Sequence, residues 1–387
     1  MDTMRVIFYK NIRRYGMIIA LIGIMLFFQI LTAGTLLTPL NITNIIMQNS
    51  YIIVLAIGMM LIIITGNIDL SVGSVAAFVG ALSAIMMISY DLPVLVSVFM
   101  CLFLGAVIGA WQGFWVAYVN IPSFIVTLAG MLLFRGLTLV VLDGQTISSY
   151  PAGFKSISTG FIPDITPDNP LNVLTLIAGA ACSLIYVMYE WKGRKDQIKY
   201  GVQTSTFPLF LAKLVLMAAV ILTLTYILAS YAGIPFILII LFALIIGYTF
   251  IMNNTITGRH IYTVGGNEPA ARLSGVKTKK MTFWVFVNMG ILAALCGLVF
   301  SARLNAATPT AGNLFELDAI AAAFIGGASM KGGVGTVFGA VIGALVMGVL
   351  NNGMSLMGIG TDWQQAIKGL VLLAAVAFDI ISKNKGS

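Results

Sequence analysis

Apolar runs, most of about twenty residues and several shorter, recur along this chain, separated by short polar or glycine-containing breaks. No other feature restricts the fold so tightly. A helix rising about 1.5 Å per residue needs a run of that length to cross the hydrocarbon of a bilayer. Helices also satisfy their own backbone in lipid, where no water can do so. The runs fall near residues 16–31, 51–65, 73–88, 93–119, 124–142, 171–189, 207–229, 235–252, 283–301, 317–327, 334–350 and 363–381. They predict an all-α, polytopic membrane helix bundle of about ten to twelve spans. Hydrophobic residues make up 59% of the chain and charged residues 9%. A soluble domain carries roughly a quarter charged residues, so this chain has too few to cover a water-facing surface. Its longest polar stretches, about thirty residues, are too short to hold a core of their own. Residues 1–387 therefore read as a single transmembrane domain.

The net charge of +8 is distributed in a way that excludes nucleic-acid binding. Basic residues gather in the short segments between apolar runs, where an orienting bias belongs, and no basic face is interleaved with aromatics. Arg5, Lys10, Arg13 and Arg14 precede the first run. That run continues past Phe28 with no small-x-small cleavage site, so it reads as an uncleaved first span. Further clusters are Lys192, Arg194, Lys195 and Lys199, then Arg259, Arg272, Lys277, Lys279 and Lys280, then Lys383 and Lys385. About twelve crossings place all of them, and both termini, in the cytoplasm of a multi-pass cytoplasmic-membrane protein. The loop at about 143–170, with Asp143, Asp164 and Asp168, then lies outside; Lys155 and Arg303 depart from the bias. The cysteines Cys101, Cys182 and Cys296 sit inside apolar runs without metal-ligand spacing and read as small core hydrophobes. No metal site is expected.

A phosphate-cradling P-loop ends in Gly-Lys-Ser or Gly-Lys-Thr, and this chain has no Gly-Lys dipeptide. Gly333, Gly335 and Gly339 loosely resemble a nucleotide loop but open an apolar run. The fourfold spacing of Gly335, Gly339 and Gly343 suits close helix–helix approach. No cofactor is expected in this chain, and any ATP and Mg must be bound by another subunit. His260, the one histidine, sits beside Arg259 in a cytoplasmic segment, and the carboxylates are scattered. No catalytic constellation emerges, so the chain is expected to move a small polar solute rather than transform one.

Polar residues inside apolar runs are costly in lipid and usually face a bundle interior or a water-filled path. Residues 66–73, Gly-Asn-Ile-Asp-Leu-Ser-Val-Gly, interrupt two runs. Asn67, Asp69 and Ser71 are candidates for the translocation path, and Asp69 and Ser71 equally suit capping of the helix that follows. Arg135 lies mid-run and requires a buried partner or access to water; an ion pair, a carbonyl clamp and a solute contact all meet that need. Gln112, Asn288 and Asn305 are further path candidates, with structural hydrogen bonding as the alternative. Glu316 and Asp318 read as carboxylates complementing a helix dipole. In the cytoplasmic segment at about 253–281, Asn267 suits an N-cap, Glu268 and Pro269 a first turn, and Gly275 a stop.

This cytoplasmic segment resembles the coupling loop of ABC importer permeases, in which Glu-Ala-Ala, three residues and Gly dock into the ATPase subunit. Ala270, Ala271 and Gly275 stand at matching places, while Pro269 replaces the Glu and Glu268 is displaced by one. The approach to it, with Arg259, Gly265, Gly266 and Asn267, is similar to that of monosaccharide permeases. Residues 67–74, 110–113, 122–131, 325–329 and 350–354 also resemble the ribose-type and xylose-type permeases. The similarity runs from about 41 to 379, and the extra segment between about 171 and 229 fits the longer xylose and multiple-monosaccharide members. The resemblance implies the type II importer fold, a permease homodimer, an ATPase subunit, an extracytoplasmic sugar-binding protein and a monosaccharide substrate. It implies alternating access, with the coupling loop moving the helices around residues 67–74 and Arg135. Two alternatives stay open: an importer for ribose, an autoinducer or branched-chain amino acids, and a proton-coupled sugar carrier using Asp69.

Overall fold

The computed structural model describes residues 2–166, 169–201, 204 and 206–384, with side chains described within 16–377. Asp168 and Lys385 lie outside the described residues, and the side chains of Arg5, Lys10, Arg13, Arg14 and Lys383 lie outside those described. The chain runs through α1 (Asp2–Leu31), α2 (Pro39–Ile64), α3 (Val72–Ala84), α4 (Val94–Ala117), α5 (Ser123–Leu142), β1 (Ile147–Ser148), α6 (Ala152–Thr159), α7 (Val173–Lys199) and α8 (Phe207–Ala229). It continues through α9 (Phe236–Asn254), α10 (Ile256–Gly266), α11 (Glu268–Leu273), α12 (Thr278–Leu304), β2 (Ala306–Ala307), α13 (Phe315–Ile325), α14 (Val337–Leu356) and α15 (Thr361–Asn384). The all-α expectation holds, apart from the two-residue strands.

Among the described residues, nine helices are long and apolar enough to cross a membrane: α2, α3 with its π-turn continuation to Ser89, α4, α5, α7, α8, α9, α12 and α14. Gly16–Leu31 of α1 adds a shorter apolar stretch. The span expected at 317–327 is α13, whose 11 residues rise only about 16 Å, roughly half the hydrocarbon thickness. The run at 363–381 falls in α15, which carries Asp362 and Lys368 and is not among the nine.

The described chain divides into two compact units. The larger comprises residues 1–36, 45–159 and 237–387. Its core lies on α2, α3, α12 and α14; in α2, 89% of the apolar window is buried. Small residues let these helices approach backbone to backbone, the packing mode available where lipid offers no hydrophobic drive. A Cβ at Gly105 of α4 would lie 2.5 Å from the Gly290 carbonyl oxygen, and one at Gly290 of α12 would overlap the Gly105 carbonyl. Gly297 of α12 meets Ala76 of α3 in the same way. Gly339 and Gly343 of α14 press on Gly326 and Ala322 around α13, as their spacing predicts, while Gly335 precedes α14 and meets Ile64 and Met60 of α2. Cys101 and Cys296 are buried.

The segment after α5 is folded rather than an open loop. β1 pairs antiparallel with β2, Ile147 opposite Ala307. The Tyr150 hydroxyl donates to the Gly80 carbonyl at 3.0 Å and lies 2.9 Å from the Ser83 hydroxyl. Phe154 of α6 is fully buried.

The smaller unit comprises residues 37–44 and 160–236. Its α7 and α8 pack together at Gly179, where a Cβ would overlap Thr225. Asn172 caps α7 by accepting from the Thr175 N–H at 2.9 Å. Asp164 accepts from the N–H groups of Leu174 and Val173 at 3.0 and 3.1 Å. Those bonds, Leu174 first, hold its carboxyl below the usual carboxylate range, so this cap is present at neutral pH and lost as the pH falls through the depressed value. Cys182, expected in a core, is exposed on α7: an apolar run does not distinguish a lipid-facing position from a packed one.

Candidate functional site

The polar interruption between α2 and α3 builds the site. The α2 helix ends at Ile64, and Gly66 turns the chain with φ +77°, a left-handed conformation that suits a residue without Cβ. Asp69 Oδ1 then accepts from the Ser71 N–H at 2.8 Å and from its hydroxyl at 2.7 Å. The Ser71 hydroxyl in turn accepts from Gln112 Nε2 of α4 at 2.7 Å. Gly130 of α5 leaves room for this chain, since a Cβ there would lie 2.6 Å from Gln112 Nε2. All three polar side chains are buried. Ser71 therefore does not cap α3 with its side chain; it bridges a carboxylate to an amide on a neighbouring helix.

Gly73 brings a second pair of charges to the start of α3. A Cβ there would lie 2.5 Å from Glu316 Oε2, which is buried with no hydrogen-bond partner. Glu316 interacts electrostatically with Arg135, Asp318 and Asp69. Arg135 Nη1 donates to the Ala311 carbonyl at 2.6 Å and the Pro309 carbonyl at 3.4 Å. Arg135 thus sits in a carbonyl clamp, within electrostatic reach of Glu316. Asp69, Ser71, Gln112 and Arg135, with Glu316, thus lie in one polar cluster among apolar helices.

The other path candidates lie apart. Asn67 folds back onto Thr65, its Nδ2 donating to the carbonyl at 3.2 Å and the hydroxyl at 3.1 Å. Asn288 of α12 accepts from the Tyr248 hydroxyl of α9. Asn305 ends α12 in a left-handed conformation and accepts from the Tyr150 N–H at 3.0 Å, tying the segment after β1 to α12.

The sequence reading of Glu316 and Asp318 as helix-dipole carboxylates does not include them among the path candidates. Both sit in the first turn of α13, as expected, yet both are buried. Asp318 pairs with Lys368 of α15 at 3.1 Å and accepts from the Tyr51 hydroxyl at 3.4 Å. Their place at the head of an apolar helix was the signal.

The second candidate element is the segment around α11. Asn267 caps α11 by accepting from the Ala270 N–H at 3.0 Å, with Pro269 in the first turn. Gly275 follows α11 with φ +86°, and the next N–H, of Val276, donates to Ala271. Glu268, Pro269, Ala270, Arg272 and Leu273 are exposed, Leu273 at 89%, while Ala271 faces inward. A short, capped helix with an exposed apolar tip suits docking to a protein partner. Arg259 and Gly266 belong to α10, an 11-residue helix not foreseen in the sequence. Gly265 packs α10 onto the Ile64 carbonyl at the end of α2.

Residues 41–376 match the family model described as branched-chain amino acid transport system / permease component. The chain is 40% identical to the xylose transport system permease protein XylH of Escherichia coli (strain K12), over 97% of this chain and 93% of that protein. It is 41% identical to XylH of Haemophilus influenzae, over 97% and 98% of the two chains. It is 35% identical to the ribose import permease protein RbsC of Escherichia coli (strain K12), over 88% and 85%. No solved structure matches. The buried polar break, the exposed capped helix and a match along nearly the whole chain agree, and the chain belongs to this family of transport-system permease components.

Proposed function

We propose that this chain is the membrane subunit of an ABC importer that carries a monosaccharide, xylose or a related pentose or hexose, into the cytoplasm by alternating access. The observation that carries the reading is the continuity between the exposed α11 and the buried break. The α10 helix joins α11 to the end of α2, and the break follows two residues later. A push on α11 thus reaches Asp69, Ser71 and Gln112. Those groups satisfy one another while closed, as buried polar groups must. On opening, a polyol can replace the lost hydrogen bonds with its own hydroxyls.

The choice of a pentose follows the xylose transport for which two of these relatives are named. An ATPase subunit binding ATP and Mg, an extracytoplasmic sugar-binding protein and a second permease copy complete the proposed assembly. Both termini and α11 face the cytoplasm. The expected result is ATP-dependent uptake of labelled xylose into proteoliposomes only when this chain, its neighbouring ATPase and its neighbouring binding protein are all present. Uptake by this chain alone on a proton gradient would replace the importer with a carrier and assign proton coupling to Asp69. Uptake of another sugar in preference to xylose would keep the importer and change its cargo.

A further inference from the structure

The α10 helix buries Ile261 and Val264 against the bundle, but where it meets the end of α2 and the turn before α14 the contact is largely backbone. A Cβ at Gly265 would overlap the carbonyl oxygen of Ile64, the last residue of α2. The same carbonyl accepts from the Gly333 N–H at 2.8 Å. A Cβ at Gly332 would lie 2.5 Å from the Gly265 carbonyl oxygen, and one at Gly333 2.8 Å from Gly266 Cα. Both Gly332 and Gly333 have positive φ, +75° and +70°, so the turn before α14 lies flat against α10. Tyr262 of α10 closes the arrangement by donating to the Gly335 carbonyl at 2.8 Å. Three segments distant in sequence therefore meet at one carbonyl.

Side-chain packing can slide by changing rotamers, whereas backbone in direct contact has no rotamer to change. A displacement of α10 must carry Ile64 with it. Beyond Ile64 the chain is short and braced: the Asn67 N–H donates to the Ile62 carbonyl at 3.1 Å, and Asn67 Nδ2 holds Thr65. Asp69 follows two residues later.

We propose that Gly265, Gly333 and Tyr262 are positioning residues for transport: they clasp α10 to the end of α2, so that movement at α11 arrives at the Asp69–Ser71–Gln112 cluster undiminished. None of them belongs to that cluster or to the exposed face of α11. The clasp rests on the transport reading above, and its test separates the two. Wild type, Tyr262→Phe and Gly265→Ala are reconstituted with the ATPase and the binding protein, and labelled xylose taken up is measured per ATP hydrolysed. Tyr262→Phe removes one hydrogen bond without adding bulk and is expected to lower that ratio about fivefold, with the ATPase co-purifying as in wild type. Gly265→Ala is expected to lower it further, and should it not fold, Tyr262→Phe still decides. An unchanged ratio in a folded variant overturns the clasp. Should wild type show no ATP-dependent uptake, the transport reading fails, and hydrogen exchange at residues 64–71 decides the clasp alone. Faster exchange in Tyr262→Phe then supports it, and equal exchange overturns it.

Discussion

Gly290→Leu is expected to leave little or no monodisperse protein after extraction from the membrane. The α4–α12 crossing has no space for a side chain at this position: the Gly105 carbonyl oxygen occupies it, and Gly109 N and Cα would lie 2.8 and 2.9 Å from a Cβ. Overpacking a core typically costs about 1–3 kcal/mol when side chains can give way. Here the opposing atoms are backbone, so the helices must separate. Separation also disturbs Gly109 against Phe286 and Gly113 against Phe283, further along the same seam. A loss above about 4 kcal/mol is expected, which is most of the stability of a marginal domain. Size-exclusion chromatography and thermal unfolding in one detergent test this. Elution and a Tm equal to wild type would show that α4 and α12 do not meet backbone to backbone.

Arg135→Ala is expected to lower both transport and stability. The substitution leaves the Ala311 and Pro309 carbonyls without their donor and removes the positive charge that favours ionised Glu316. Arg135 is half-buried, and leaving its carbonyl acceptors without a donor costs about 1–3 kcal/mol. Uptake should fall about tenfold. Arg135→Ala combined with Glu316→Gln should regain part of the lost stability, since the stranded charge is then gone. Normal uptake and Tm in Arg135→Ala alone would remove the clamp from the argument. Failure of the double variant to recover any Tm would show that the carbonyls, and not Glu316, depend on the guanidinium.

The helices themselves were legible because hydrophobic length is a one-dimensional property. The break at 66–73 was legible for the same reason, as polar letters between apolar runs. The capping of α11 by Asn267 and its stop at Gly275 were also readable, since caps act over three or four residues. What the sequence left open depends on direction and distance in space. Ser71 and Gln112 are 41 positions apart, and nothing local says that they touch. Asn288 and Asn305 carry the same amide as Gln112, yet they serve Tyr248 and Tyr150. Glu316 and Asp318 suited the helix dipole so well that their burial was hidden. Gly265 illustrates the limit most plainly: a glycine states that something comes close but not what, and here it is a carbonyl about 200 residues upstream.

The seam between α4 and α12 also sets an order of events during synthesis. Gly105 and Gly290 are about 185 residues apart, an interval of roughly ten to forty seconds at ribosomal rates of about 5–20 residues per second. Throughout that interval the glycine face of α4 has no partner, although α4 itself is already long enough to enter the bilayer. The α7–α8 hairpin, whose contacts are local, assembles while α4 is still waiting. Until α12 is released, lipid covers that face, since a helix satisfies its own backbone there. Variants that weaken the seam are expected to lower the steady-state level of the protein in the membrane, measured by immunoblot against wild type. An unchanged level would show that the late α4–α12 contact is not limiting.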